Sequence, residues 1–577
     1  MSVFHLKNSI HNFLSHEKLV FSVLLLVLLL PSCVFAFNPS LPNNKFGIHL
    51  AVPQSDDIDK AAELVNSSGG KWGYVTLVIQ EDDRKQDKWQ QVFDQLRQNH
   101  LIPVIRIATH PVGDKWRKPT IEDVDDWISF LDSLNWVVKD RYVVLFNEPN
   151  QGNEWGGAVD PADYGNVAEI FAEKLKGKNG NFFVMLAGLD SSAPSNRPFL
   201  EDESAFLSQM KEAVPDLFNR IDGWTSHSYP NPGFAGSPLA SGRGTVRGYD
   251  WELSQLRQLG ITKELPVFIT ETGWSNQVVS LDQIAEDLRT AYENWLADAR
   301  VRAVTPFVLN YQGEPFLKFS WKKYLRDDFY PQFESIKQIP KTKGQPEQEE
   351  RGSIQINLPR ALLVDSNYHF FIPLQNNGQA IWDKNDGYFL KLKTAQFQNY
   401  FFSDLQTVEP GERVDLDLFF KTAGKPGTGE AQIALYKEDK KILGTNTWYF
   451  EMLPLPSLKF QATLFPKGTA NGDRFEIQIF DERQELVFKQ SSIKVKNGMG
   501  EVKNIHNIYL GGKYRVVLIN PYYLPRQEHL VFQKTENAVR FKVMLPLDFN
   551  KDGTFDWKDL VTVFNLFFFS KKGFSQP

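Results

Sequence analysis

The stretch VVLFNEPN, residues 143–150, runs through three aliphatic residues and an aromatic one and then stops on Asn147, Glu148, Pro149 and Asn150. A run of that kind belongs in a core, where a carboxylate is costly unless it has a partner or a task. The flanking sequence repeats the theme. Short apolar runs recur at 46–50, 72–79, 102–107, 142–146, 182–189, 221–229, 266–274 and 301–311. Between them lie stretches such as DIDKAAELV, KWQQVFDQLRQNH, IEDVDDWISFLDSL, DYGNVAEIFAEKLKG and LDQIAEDLRTAYENWLADA. Several of these carry apolar residues at i, i+3, i+4 and i+7 and begin near an Asp or Ser suited to capping. Eight buried strands alternating with helices predict a (β/α)8 TIM barrel over residues 43–340. A doubly wound open sheet is the alternative, and the absence of a Gly-rich turn after the first strand counts against it.

A barrel places its chemistry at the carboxyl ends of its strands. The fourth strand ends in Asn147-Glu148-Pro149, the sixth in His227 and Tyr229, and the seventh in Thr270-Glu271-Thr272-Gly273-Trp274. Two glutamates therefore face one mouth. A pair of carboxylates is the equipment for glycoside hydrolysis, one protonated to assist the leaving oxygen and the other ionised as nucleophile or base.

Asn-Glu-Pro closing strand four, with a glutamate closing strand seven, resembles the retaining (β/α)8 glycoside hydrolases of clan A over roughly residues 45–320. The resemblance implies that Glu148 is the acid/base, that Glu271 is the nucleophile and that Asn147 holds the sugar 2-hydroxyl. His227 or Tyr229 would hydrogen-bond near Glu271, and Arg106, at the end of strand three, would lie beside it or form a packed ion pair. Trp155, Trp224 and Trp274 are sugar platforms or core filler, with Trp274 the preferred platform. Many clan members close strand eight with a Trp, whereas this chain reads FVLNYQG, which offers Asn310 and Tyr311 to the substrate. No catalytic cofactor is implied.

Length and composition frame the rest. A chain of 577 residues exceeds a single core. A formal net charge of −6 leaves no basic footprint, which argues against a nucleic-acid partner. Residues 1–36 read as a signal peptide: Lys7 and Lys18 precede the apolar run Leu19–Leu30, and Val34-x-Ala36 offers a cleavage site. The single cysteine, Cys33, lies inside this leader, so the exported chain would hold no disulfide. LPSC is also a faint lipoprotein motif. The expected location is secreted or cell-surface.

Residues 341–352, KTKGQPEQEERG, read as a linker. Period-two patterning then predicts a β-sandwich over 353–454, whose LQNNGQAIW and VEPGERVDLDLFF resemble immunoglobulin-like modules, and a second β module over 455–546. The segment 547–577 contains DFNKDGTFDWKD (548–559), close to the calcium loop D-x-N-x-D-G. Asp548, Asn550, Asp552, the Thr554 carbonyl, Asp556 and Asp559 are the expected ligands of a structural Ca²⁺. The loop with the apolar run after it resembles half of a dockerin, which implies a cohesin-like or cell-surface partner or a calcium-braced helix. Phe567–Phe569 would need a burying surface. The whole reads as an exported hydrolase of poly- or oligosaccharides; a non-catalytic glycan-binding or scaffold protein on the same barrel is the alternative.

Overall fold

A computed structural model describes residues 41–568 apart from 535, with the side chains of 566–568 also set aside. The expected leader with Cys33, and Phe567–Phe569 as a side-chain patch, lie outside the described residues. The chain divides into two compact units, the first ending at Glu349 and the second beginning at Glu350.

The first unit is a closed parallel barrel. Strands β1 (Gly47–Leu50), β2 (Gly73–Gln80), β3 (Leu101–Ala108), β4 (Arg141–Leu145) and β5 (Phe182–Leu186) form one run, and β6 (Trp224–His227), β7 (Val267–Glu271) and β8 (Val301–Val304) form another. Parallel bridges Met185–Gly223 and Phe46–Val304 join the two runs and close the ring. These strands are buried along nearly their whole length, which is why they read as unbroken apolar runs rather than as alternation.

The outer helices bury one stripe each. Helix α1 (Ser55–Val65) turns Ile58, Ala61, Leu64 and Val65 inward, and α2 (Gln86–Gln98) does the same with Trp89, Val92, Phe93 and Leu96. Helix α3 (Asp123–Ser133) follows β3. Helix α4 (Pro161–Lys178) starts on Asp160, whose carboxylate accepts the N–H of Asp163, and has Pro161 in its first turn, where no N–H is needed. Helices α5 (Glu203–Ala213), α6 (Gly248–Gln258), α7 (Leu281–Ala297, capped by Ser280) and α8 (Pro331–Lys337) complete the ring.

Inside the barrel, Tyr74, Tyr142, Phe183 and Phe268 come from the second position of β2, β4, β5 and β7, with ring centroids 5.0–6.1 Å apart. They plug the amino-terminal end.

Two boundaries differ from the sequence reading. Strand β8 stops at Val304 instead of running to 311. The next residues turn to embrace β1, with His49 N–H donating to the Pro306 carbonyl and Leu309 N–H to the His49 carbonyl. Pro306 has no N–H with which to extend a ladder. Residues 341–349, expected as linker, are strapped along the barrel. Gln345 N–H donates to Pro42, Lys139 N–H to Glu347, and the Asn181 amide to the Glu349 carboxylate. A polar composition reads as linker, but backbone donors and acceptors supplied by neighbouring loops hold this one.

In the second unit, one sheet orders 352–354, 367–376, 413–422 and 397–402, and another orders 361–363, 448–453, 427–437 and 388–393. Tyr368, Ile372, Leu418 and Phe420 from the first sheet meet Ile433, Trp448 and Phe450 from the second in one core. A further β module has its own core around Phe460, Phe475, Ile477, Ile479, Val516 and Phe541. Helix α9 (Trp557–Phe568) follows the 548–559 loop.

Candidate active site

The mouth of the barrel holds a cavity of about 350 Å³ walled by Arg106, Asn147, Glu148, Gln151, Glu154 and Glu271. Aromatic walls come from Trp116, Phe146, Phe307 and Phe316. Strand ends deliver the polar set, as the barrel geometry requires.

Glu148 leaves β4 in an uncommon backbone. Phe146 and Glu148 have φ of +72° and +32°, in the left-handed half of the map that side-chain-bearing residues rarely enter. Glu148 N–H is held by the Gly188 carbonyl. Gly188 itself must be a glycine, because a Cβ there would come within 2.3 Å of the His227 ring. That close approach sets His227 Nδ1 2.7 Å from Glu148 Oε1 and 4.0 Å from Glu271 Oε2. The nearest oxygens of the two glutamates can be no farther apart than those two contacts laid end to end. That limit falls at the floor of the roughly 6.5–9.5 Å spacing of inverting glycosidases, and retaining enzymes keep about 5–5.5 Å.

Glu271 is the better-braced carboxylate. Arg106 Nη1 donates to Oε1 at 2.7 Å, and the Tyr229 hydroxyl donates to Oε2 at 3.0 Å. Arg106 Nη1 also binds Asn147 Oδ1. Glu148 Oε2 accepts instead from Gln151 Nε2 at 2.8 Å, and Gln151 is held by Asp190 at 3.1 Å.

The environments push the two acids in opposite directions. Burial raises the Glu148 carboxyl above its ordinary range, and the negative charge of Glu271 adds to that, against the opposing hydrogen bond from His227. Burial would raise Glu271 as well, but the positive charges of His227 and Arg106 and the Tyr229 hydroxyl outweigh it and hold Glu271 well below the usual carboxylate value. For His227, burial opposes the charge, and the two glutamates overcome it, so its imidazole is held above 6.5. Divergent acids in one cleft are the condition for an acid/nucleophile pair.

Most residues named from sequence meet here: Glu148, Glu271, Asn147, Arg106, His227 and Tyr229. Tyr229 contacts Glu271, while His227 sits mainly on Glu148. Five do not join them. Trp274 is only 2% exposed, with its indole N–H bonded to the Gly236 carbonyl, so it is core and not platform. Trp155 and Trp224 are likewise buried, bonded to Asp163 and Glu252. Tyr311 packs on Phe316 beside the cavity without lining it, and Asn310 turns to Asp57. Because β8 ends early, the aromatic ring it brings to the mouth is Phe307.

Sequence reasoning missed Trp116, Gln151, Glu154 and His49. Trp116 stands on a two-residue ribbon (Pro111–Val112 with Lys115–Trp116) after β3. Glu81, at the end of β2, holds that ribbon through Arg117 and His110. His49 closes β1 with both ring nitrogens buried and unpartnered, and burial drives its pKa down to about 3, so it is a neutral ring against Phe307. A strand-end His in FGIHL was the available signal.

The 548–559 loop fits a cation in part. Gly553 makes its sharp turn at φ +85°, and Asp548 Oδ1 is buried with no partner. The Asp559 carboxylate accepts the N–H groups of Phe549, Asn550 and Asp556. Asn550 and Asp552 likewise accept backbone N–H groups of Asp552 and Thr554. Among the described residues no three acidic, His or Cys side chains gather at metal-binding distance. Short Asp and Asn side chains satisfy nearby backbone donors first, and that competition explains the arrangement.

Neither a protein-family model nor a curated protein sequence matches the chain. Solved structures resembling it include an endo-β-1,4-glucanase from Xanthomonas axonopodis pv. citri, at 14% identity over 51% of this chain and 98% of that one, with a TM-score of 0.37. A family 39 glycoside hydrolase from Bacteroides cellulosilyticus is 14% identical over 80% of this chain and 78% of its own, with a TM-score of 0.37. An endo-β-1,3-glucanase from Sorangium cellulosum is 16% identical over 51% and 98%, with a TM-score of 0.35.

Proposed function

We propose that the barrel is a retaining glycoside hydrolase acting on a poly- or oligosaccharide. The observation that carries this reading is the pair Glu148 and Glu271, gathered on one imidazole, with their acidities pushed in opposite directions. In the first step a Glu271 oxygen attacks the anomeric carbon as the glycosidic C–O bond breaks, and the Glu148 proton passes to the leaving oxygen. In the second, Glu148 takes a proton from water, whose oxygen displaces Glu271 from the anomeric carbon. Arg106 and Tyr229 keep Glu271 anionic, and Asn147, fixed by Arg106, is placed to hold the neighbouring sugar hydroxyl.

The proposal extends to export on the 1–36 leader and to a structural Ca²⁺ held by the 548–559 loop, for which the unpartnered Asp548 oxygen speaks. A calcium-dependent protein partner for 547–577 belongs to the same reading.

The test is Glu148→Gln against wild type, with a natural glycan and with an aryl glycoside whose leaving group needs no proton. Loss of general acid catalysis predicts a fall of about 10²–10⁴-fold on the glycan. The first step on the activated glycoside should be spared. The basic limb of the pH profile should vanish, since activity fails as pH rises through the raised Glu148 value. Equal losses on both substrates would remove Glu148 from the acid role.

A further inference from the structure

The cavity wall carries a third carboxylate that the double displacement does not use. Glu154 lies six residues after Glu148, at the end of a 3-10 turn spanning Gly152–Glu154. The turn is held from several sides. Gly152 N–H donates to Phe199 at 2.7 Å and Gly157 N–H to Gly152 at 2.6 Å. The next residue, Trp155, is buried with its indole bonded to Asp163. Gly156 N–H donates to the Trp116 carbonyl, tying the turn to the ribbon that forms the facing aromatic wall. Glu154 is therefore presented on a fixed frame.

Its polar neighbour is Asn147, whose amide favours the ionised Glu154 carboxylate while its Oδ1 accepts from Arg106. The Glu154 carboxylate has oxygens to offer other donors. Burial pushes the Glu154 carboxyl up to about 7, and the charge of Glu148 adds to this. Such a group gains from a ligand that brings hydrogen-bond donors.

The charge inventory of the wall is lopsided. Three carboxyl groups line it, Arg106 is, among the described residues, the one cation of the lining side chains, and His227 stands behind Glu148 and Glu271. The Arg106 charge is matched by Glu271 at 2.7 Å. Lys115 and Lys118, on the neighbouring loop, are not part of the wall, and Lys118 is paired with Asp163. Above the raised Glu154 value, a carboxylate or sulfate on the substrate would meet two carboxylates, Glu154 and Glu271, while Arg106 and His227 are already engaged by glutamates, and like charges at close range in a partly dry site repel strongly. Sugar hydroxyls would meet an acceptor at Glu154 and apolar faces at Trp116 and Phe307.

We propose that Glu154 is a specificity-determining residue of this cleft, receiving hydroxyl groups of an uncharged glycan and turning away uronate-bearing chains. The inference rests on the cleft being a glycan site, and not on its being catalytic. It is tested by binding in the Glu148→Gln chain, where an amide replaces a protonated acid and turnover is suppressed. Calorimetric titration would use gluco-, manno- and xylohexaose beside hexagalacturonate. At least one neutral hexasaccharide should bind and the uronate should not. Adding Glu154→Gln should weaken the neutral ligand about tenfold or more, the scale of one hydrogen bond to a charged group. Adding Glu154→Lys should admit the uronate. Uronate binding as tight as neutral binding, unchanged affinity in the Glu154→Gln chain, or no binding of any probe would each overturn the inference. Wild-type chain that shows the expected selectivity yet cleaves none of these ligands would instead sink the hydrolase reading and leave this one standing.

Discussion

Replacing Arg106 by Met tests the electrostatics of the cleft without needing a substrate. Arg106 and Glu271 form a 2.7 Å ion pair with side chains 16% and 11% exposed. Removing one partner of a buried pair costs about 3–5 kcal/mol, most of it from the stranded charge. His227 and the Tyr229 hydroxyl still face Glu271, so the lower end, about 3 kcal/mol, is expected. For a domain this large that corresponds to about 2 °C per kcal/mol, or about 6 °C in Tm. The pH dependence is the sharper part. In the wild type Glu271 is held below its unfolded value, so its contribution is present above an unfolded pKa of about 4.3 and is lost as pH falls through the lower folded value. In Arg106→Met burial gains ground and the folded pKa rises. The variant's deficit should therefore be full at pH 7 and shrink as the pH falls below about 4.3 toward the wild type's folded value. Thermal unfolding of both intact chains between pH 3 and 8 reads this directly, with Arg106→Lys as a variant that keeps the charge and loses the fork. A deficit of the same size at pH 3 and pH 7 would refute the reasoning and assign Arg106 a packing role.

Tyr229→Phe removes one 3.0 Å donor from Glu271, and a hydrogen bond to a charged group is worth about 1.5–3 kcal/mol. Turnover on a cleaved glycan should fall about 10–100-fold with little change in KM. The acidic limb of the pH profile should also move upward, because Glu271 loses a contact that favours its ionised form; an unmoved limb would contradict the assignment. For the carboxyl-terminal loop, titration of the chelator-treated chain with Ca²⁺ should show one site, abolished by Asp548→Ala. Absence of heat in the intact chain would end the calcium reading. The matching tests for Glu148 and Glu154 are a leaving-group comparison and a neutral-against-uronate binding series.

How far the sequence reaches can be judged residue by residue. Strand order and the two glutamates were legible because burial on both faces writes itself as apolar runs, and because a run that ends in a carboxylate must end where water or a partner is available. The positions of Asn147, Arg106, His227 and Tyr229 followed from the same strand-end logic, and their expected roles from the resemblance to clan A glycoside hydrolases. The aromatic walls did not. Trp274 follows Glu271 by three residues, yet its indole is claimed by Gly236 of the loop after β6. Trp116 reaches the cleft from a ribbon pinned by Glu81, a partner 35 positions away in the chain. Residues 341–349 look like linker in composition and are strapped down by Pro42, Lys139 and Asn181.

What the sequence by itself determined, then, is periodicity and its ends: an eightfold alternation, a change to period two after 352 and an acidic loop at 548–559. Which aromatic ring faces the cleft, which glutamate is lifted and which is held down, and that Glu154 stands beside Asn147 were decided by tertiary structure alone. The physical reason is the range of the forces involved. Side-chain alternation is a local property of the backbone, whereas desolvation, ion pairing and closure of a wall depend on groups that only folding brings together.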